Sequence, residues 1–169
     1  FFYFLAQQVS ASVDGLWRTD GTAAGTTRVT HLKYSSDLTV FDGLLYFAGR
    51  TGSTSDLWRT DGTASGTFPI SALPYNAVYS GANNLTVAGS TIFFFGNDQL
   101  WASDGAPGNA RLVKDILPGT PYSNMHLPGS GLGRLFFSAT DLVNGQEPWT
   151  SDGTTAGTTL LKDVRLSPN

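Results

Sequence analysis

"LWRTDGTAAGT" at residues 16–26 returns as "LWRTDGTASGT" at residues 57–67. A near-identity of this length inside a chain of 169 residues is an internal repeat, and its period decides the architecture. Two looser copies follow, "LWASDGAPGNA" from Leu100 and "PWTSDGTTAGT" from Pro148. Their tryptophans, Trp17, Trp58, Trp101 and Trp149, lie 41, 43 and 48 residues apart. Constant motifs at unequal spacing mean equivalent strands joined by loops of different length.

Working outward, each tryptophan follows an aromatic run: "FFYFLA" from Phe1, "LLYFAG" from Leu44, "TIFFFG" from Thr91 and "RLFFSA" from Arg134. These runs are apolar on consecutive residues and bounded by Gly, Asn and Ser, as in strands covered on both faces. A third shared segment precedes three of them ("DLTVFDG" from Asp37, "NLTVAGS" from Asn84, "NMHLPGS" from Asn124), and a fourth follows the Asp-Gly turn ("TTRVTHL", "ARLVKDI", "TTLLKDV"). Each unit thus holds about four strands, here A to D, and no stretch has the 3.6-residue period of a helix. Four-stranded units at this period predict an all-β fold: a β-propeller of about four four-stranded antiparallel blades, as a single domain or as part of a larger ring or array. The units run over about 1–33, 34–73, 74–117 and 118–169.

The repeated residues have structural tasks in such a fold. The tryptophan on strand C is expected to be buried between adjacent blades. Asp20, Asp61, Asp104 and Asp152 open the C–D turn by accepting N–H bonds from their own loop, and Gly21, Gly62, Gly105 and Gly153 supply positive φ. The second glycine, Gly25, Gly66 and Gly157, is read as letting the chain re-enter strand D. In the third unit the turn is "DGAPGNA", with Gly108 one place earlier, so that loop takes another path.

The joint recurrence of Leu-Trp, Asp-Gly-Thr and Gly-Thr resembles the ELWxxDGT repeat family of bacterial secreted or surface-attached proteins, and its turns resemble the Asp-box of propeller proteins. The family's leading Glu is here Gly15, Asp56 and Gln99, then Glu147 followed by Pro148 in place of Leu. The resemblance implies a propeller in an extracellular, bacterial, cell-surface setting and no specific activity.

The units hold four B, C and D segments but three A segments. The edge left in the first unit is the aromatic Phe1, Phe2, Tyr3, Phe4 and Leu5, whose backbone groups and side chains call for a partner. Two readings stand: neighbouring blades of a longer array complete the ring, or further copies of the chain add strands by β-augmentation.

Composition narrows the function. With 40% hydrophobic and 12% aromatic residues the chain can bury a core, and its net charge of −3 with unclustered basic residues argues against nucleic acid. No cysteine is present, which removes disulfides, thiolate metal sites and cysteine nucleophiles. The apolar runs fall far short of the roughly 18 residues that cross a membrane as a helix, so no membrane insertion is expected, and Phe1 opens no recognisable signal peptide. The two histidines, His31 and His126, form no metal pair or triad. Each turn offers one carboxylate where calcium gathers several oxygens. Arg18 and Arg59 suit an anion or a carboxylate-bearing glycan less well than a paired surface charge. Glu147, the single glutamate, would need Asp141 opposite it to serve a glycosidase, and nothing in the spacing demands that. "GSGLG" from Gly129 precedes a strand and lacks the helix of a phosphate loop. The expectation is a non-catalytic extracellular structural or adhesive module without cofactor or metal, binding protein partners or further copies of itself. A lectin-like propeller that takes glycans at loops between blades is the alternative, and a propeller hydrolase the third.

Overall fold

A computed structural model describes residues 1–6, 15–51, 54–73, 81–119 and 123–164. Parts of the inter-unit connections at 74–80 and 120–122, and the end of "LKDVRLSPN" at 165–169, lie outside the described residues. Fifteen strands and no helix occur among them. They form four antiparallel sheets in chain order, one per repeat.

The first sheet has three strands, β1 (Phe2–Ala6), β2 (Gly15–Thr19) and β3 (Thr27–Thr30), in the order β1-β2-β3. The second has β4 (Lys33–Phe41), β5 (Leu44–Thr51), β6 (Thr54–Thr60) and β7 (Phe68–Pro69). The third has β8 (Asn83–Ala88), β9 (Thr91–Gly96), β10 (Gln99–Ser103) and β11 (Arg111–Lys114). The fourth has β12 (His126–Gly131), β13 (Arg134–Asp141), β14 (Gly145–Ser151) and β15 (Thr159–Leu160). Each is a meander in which every strand pairs with the next. The chain is a β-propeller of four consecutive blades.

Local chemistry sets the hairpins. Asp42-Gly43, Asn97-Asp98 and Leu132-Gly133 each join two strands with both residues at positive φ, the combination that matches strand twist. "GSGLG" is therefore the end of β12 and its hairpin turn. A left-handed residue recurs at one repeat position in or beside strand A of all three full blades, Asp37 within β4 (φ 58°), Asn84 within β8 (φ 54°) and Asn124 two residues before β12 (φ 44°), the side-chain types that tolerate it best. A register shift accompanies the first two. The Asn84 N–H donates to Asp37 Oδ2 of the preceding blade at 2.9 Å. The A strands β4, β8 and β12 make the most extensive contacts between blades, which places strand A innermost.

Three apolar clusters fill the three seams. Leu16, Val29 and Leu32 of the first blade meet Leu45, Phe47 and Trp58 of the second. Tyr46, Ala48, Leu57, Ile70 and Leu73 meet Ile92, Phe94 and the half-buried Trp101. Phe93, Phe95, Leu100, Val113 and Ile116 meet Leu135, Phe137 and Trp149. Successive strand-B residues alternate between seams, so β5 and β9 are buried on both faces, as their unbroken apolar sequence requires. In β1 the same pattern stays half-exposed, and β2 is its sole neighbour among the described strands.

Candidate functional site

The repeated motif builds the seam between blades. Trp17, Trp58, Trp101 and Trp149 lie directly across from Phe4, Phe47, Phe94 and Phe137 in the B–C register. Phe47 and Trp58 stack with centroids 6.3 Å apart, and Phe94 and Trp101 at 6.4 Å. The indoles of Trp58, Trp101 and Trp149 face back toward the preceding blade. Gly49 and Gly96, at the same repeat position late in strand B of two blades, leave room for the ring: a Cβ on Gly49 would lie 2.7 Å from Trp58 Cδ1, and one on Gly96 3.3 Å from Trp101 Cδ1. The Trp101 Nε1–H donates to the Gly96 carbonyl at 3.0 Å.

The expectation of four equally buried tryptophans is corrected here. Trp58 and Trp149 are buried, whereas Trp17 and Trp101 are half-buried. For Trp17 the cause is plain: no described blade precedes it, and the Arg28 guanidinium 5.8 Å from its ring is its cover.

The Asp-Gly turns of the first, second and fourth blades share one hydrogen-bond network. In the second blade Asp61 Oδ1 accepts the Thr63 N–H at 2.8 Å and its hydroxyl at 2.7 Å, and Thr63 Oγ1 accepts the Gly66 N–H at 3.0 Å. Thr67 donates to the Thr63 carbonyl, and Thr60 meets Thr67 at 2.6 Å. The same network runs through Asp20, Thr22 and Gly25 and through Asp152, Thr154 and Gly157. Asp104 keeps the backbone bond, to the Ala106 N–H at 2.9 Å, and replaces the threonine hydroxyl with the Asn109 amide at 2.9 Å. These bonds hold all four carboxyls below their ordinary value: the backbone N–H is the leading cause at Asp20 and Asp104, the threonine hydroxyl at Asp61 and Asp152.

Gly21, Gly62, Gly105 and Gly153 take φ of 94°, 91°, 87° and 91°, as the turn requires. The second glycine does something other than redirect the chain. A Cβ on Gly25, Gly66 or Gly157 would collide with the carboxylate of Asp20, Asp61 or Asp152, so the side chain it lacks is the space the Asp occupies.

The turn also clasps the blade before it. A Cβ on Gly62 would lie 2.5 Å from the Tyr3 hydroxyl, Gly105 lies against Tyr46, and Gly153 against Phe93. Tyr46 donates to the Gly105 carbonyl at 3.3 Å, and burial raises its pKa. In the third seam Arg111 donates to the Gly153 carbonyl at 3.3 Å, Lys114 to the Thr158 carbonyl at 2.9 Å, and Thr155 to the Val113 carbonyl at 2.8 Å. Lys114 Nζ stands 5.4 Å over the Trp149 ring.

The position before Leu-Trp is a further structural residue, whose role the sequence alone left open. Asp56 Oδ1 accepts the Leu73 N–H at 2.9 Å, and Glu147 Oε2 accepts the equivalent Val164 N–H at 2.8 Å. Glu147 is buried on β14, while Asp141 accepts the N–H groups of Val143 and Asn144 in a turn at 2.9 and 2.6 Å. Both carboxylates are engaged by main-chain donors rather than aimed at a shared cleft. Arg18 stacks over Phe1 at 4.6 Å and Arg59 over Phe68 at 4.7 Å. His31 and His126 are exposed, and no group of three or more His, Cys, Asp or Glu could hold a metal among the described residues.

Concavities flank this framework. One, of about 560 Å³, opens between the second and third blades and is lined by Phe41, Asp42, Gly89, Ser90 and Asp104. Another, of about 500 Å³, lies on the outer face of the fourth blade and includes Phe136, Ser138, Pro148 and Val164.

Blades locked by recurring Trp and Asp-Gly clasps define the class: a repeat-built β-propeller. No protein-family model matches the chain, and no curated protein does. Among solved structures, a chain in the crystal structure of a nidogen/laminin complex superposes with a TM-score of 0.51 at 15% identity. The match covers 97% of this chain and 62% of that one, and at this identity the likeness is one of fold. No described helix is long and apolar enough to cross a membrane.

Proposed function

We propose that the chain is a non-catalytic structural and adhesive module of an extracellular, bacterial cell-surface protein of the ELWxxDGT type, presenting a rigid propeller surface to protein partners. The observation that carries this reading is where the repeated chemistry goes. The Asp carboxylates, threonine hydroxyls and indoles that the motif preserves are used inside the chain, in turns and seams. A rigid scaffold with no converging acid, base or nucleophile among its described residues is suited to holding partners. The fold likeness to a chain solved within a protein–protein complex supports the same direction.

The concavity lined by Phe41, Asp42, Ser90 and Asp104 supports the second reading, a glycan site at the loops between blades, since an aromatic edge beside carboxylates and a hydroxyl suits a sugar. The test combines antibody access to the parent protein on intact producing cells with the purified chain on a glycan array and on chromogenic glycoside and ester substrates. Surface access without saccharide binding or turnover is the expected result. Saccharide retention that survives salt and is lost in Asp42→Ala moves the assignment to the lectin reading, and turnover overturns both.

A further inference from the structure

The same seam occurs three times inside the chain, and its two halves are both present again, uncovered, on the outer faces of the first and fourth blades. The forward half of each seam comes from strand D and the residues after it. Val29, Ile70 and Val113 are 6%, 2% and 3% exposed, whereas the equivalent Leu161 is 51% exposed. Leu32, Leu73 and Ile116 are 8%, 8% and 6% exposed, against 59% for the equivalent Val164. The backward half comes from strand B and the tryptophan. Leu45, Ile92 and Leu135 are 5%, 0% and 0% exposed, while the equivalent Phe2 is 69% exposed and Trp17 lies half open beside it. Among the described strands, no packing comparable to the three seams joins the fourth blade to the first.

We propose that these faces are the two sides of a fourth seam, formed between copies of the chain: the first blade of one copy docks on the fourth blade of another, head to tail. The hollow lined by Phe136, Ser138, Pro148 and Val164 receives the Trp17 indole, as the preceding blade receives Trp58, Trp101 and Trp149. The polar contacts carry over with it. Lys162 stands where Lys114 does, so its ammonium reaches the Thr26 carbonyl and the Trp17 ring as Lys114 reaches Thr158 and Trp149. Phe136 lies where Tyr46 and Phe93 do, beneath the next turn's glycine, here Gly21. The contact is heterologous, so it builds closed rings, the smallest of two copies, or open chains. This deepens the adhesive reading by naming one partner, a second copy, and rests on it only for the view that blade faces serve binding.

Sedimentation of the purified chain over a concentration series tests the proposal, alongside Trp17→Asp and Val164→Asp, both on uncovered faces and both checked for folding by far-UV circular dichroism. The expected result is concentration-dependent association of the native chain. Each variant alone is monomeric, and an equimolar mixture forms a 1:1 dimer and nothing larger, because each variant keeps one intact face. A second measurement uses the absence of cysteine. Ala23→Cys and Leu161→Cys, placed like the contacting Thr155 and Val113, should cross-link on oxidation when the two variants are mixed, with far less product from either alone. A native chain that stays monomeric throughout, variants that still dimerise alone, or cross-linking that ignores the pairing overturns the proposal. All are read on the chain by itself, so failure here is distinct from failure to bind other proteins.

Discussion

Trp58 and Trp17 occupy the same motif position but different surroundings, which makes their alanine variants a direct measure of what a seam contributes. A buried tryptophan removes about 150–250 Å² from water, worth about 4–6 kcal/mol at ~25 cal/mol/Å². Alanine keeps part of that area, and truncation of a large buried aromatic costs about 3–5 kcal/mol. Trp58 is 9% exposed, stacks on Phe47 and packs on Leu16, Val29 and Leu32. Its indole N–H has no hydrogen-bond partner among the described residues. Losing that buried, unsatisfied donor returns about 1 kcal/mol, so Trp58→Ala should cost about 2–4 kcal/mol. Trp17 has the same cross-strand phenylalanine and no described blade behind it, so Trp17→Ala should cost about 1–2 kcal/mol, part of its area being in water already. Urea unfolding followed by circular dichroism, at a concentration where the chain is monomeric, reads both as shifts in midpoint at constant slope. If Trp17→Ala is as damaging as Trp58→Ala, the energy lies within the blade and the seam account is wrong.

Two further outcomes follow from the turns and one from the Trp101 indole. Gly66→Ala should destabilise the second blade, and adding Asp61→Ala should restore part of the loss, because the new methyl collides with that carboxylate; additive effects in thermal melts would refute the contact. The hydrogen bonds from Thr63 hold the Asp61 carboxyl below its ordinary 3.8, so the unfolded chain takes up the proton first on acidification. Stability from the turn carboxylates is present above about pH 4 and lost as pH falls through the lower folded value; Asp61→Asn should flatten that acid limb in a series of urea midpoints from pH 5 to 2, and an unchanged slope counts against it. Trp101→Phe should cost about 1 kcal/mol through the bond to Gly96, beyond its lost ring area, whereas Trp58→Phe carries no such penalty. Equal effects in the two blades would refute that difference.

The sequence by itself determined the blade. Strand identity, the two-residue hairpins and the positive φ of Gly21, Gly62, Gly105 and Gly153 depend on residues within a few positions of one another, and Asp-Gly or a run of aromatics specifies them locally. The repeat also left one unit without an A segment, and among the described residues the first sheet has three strands. Only the tertiary structure decided what each repeated residue touches. Four tryptophans that read alike differ in burial: Trp17 has no described blade to cover it, and Trp101 stays half-buried even in a seam, whereas Trp58 and Trp149 are buried in theirs. The second glycine of the motif read as letting the chain re-enter strand D and proves to be the seat of a carboxylate, and Asp56 and Glu147 read as an imperfect match and prove to anchor the chain after strand D. Such contacts join residues that local propensity treats as independent. They come into being when the meander folds back on itself and the blades stack, bringing together atoms that no short stretch of sequence places side by side.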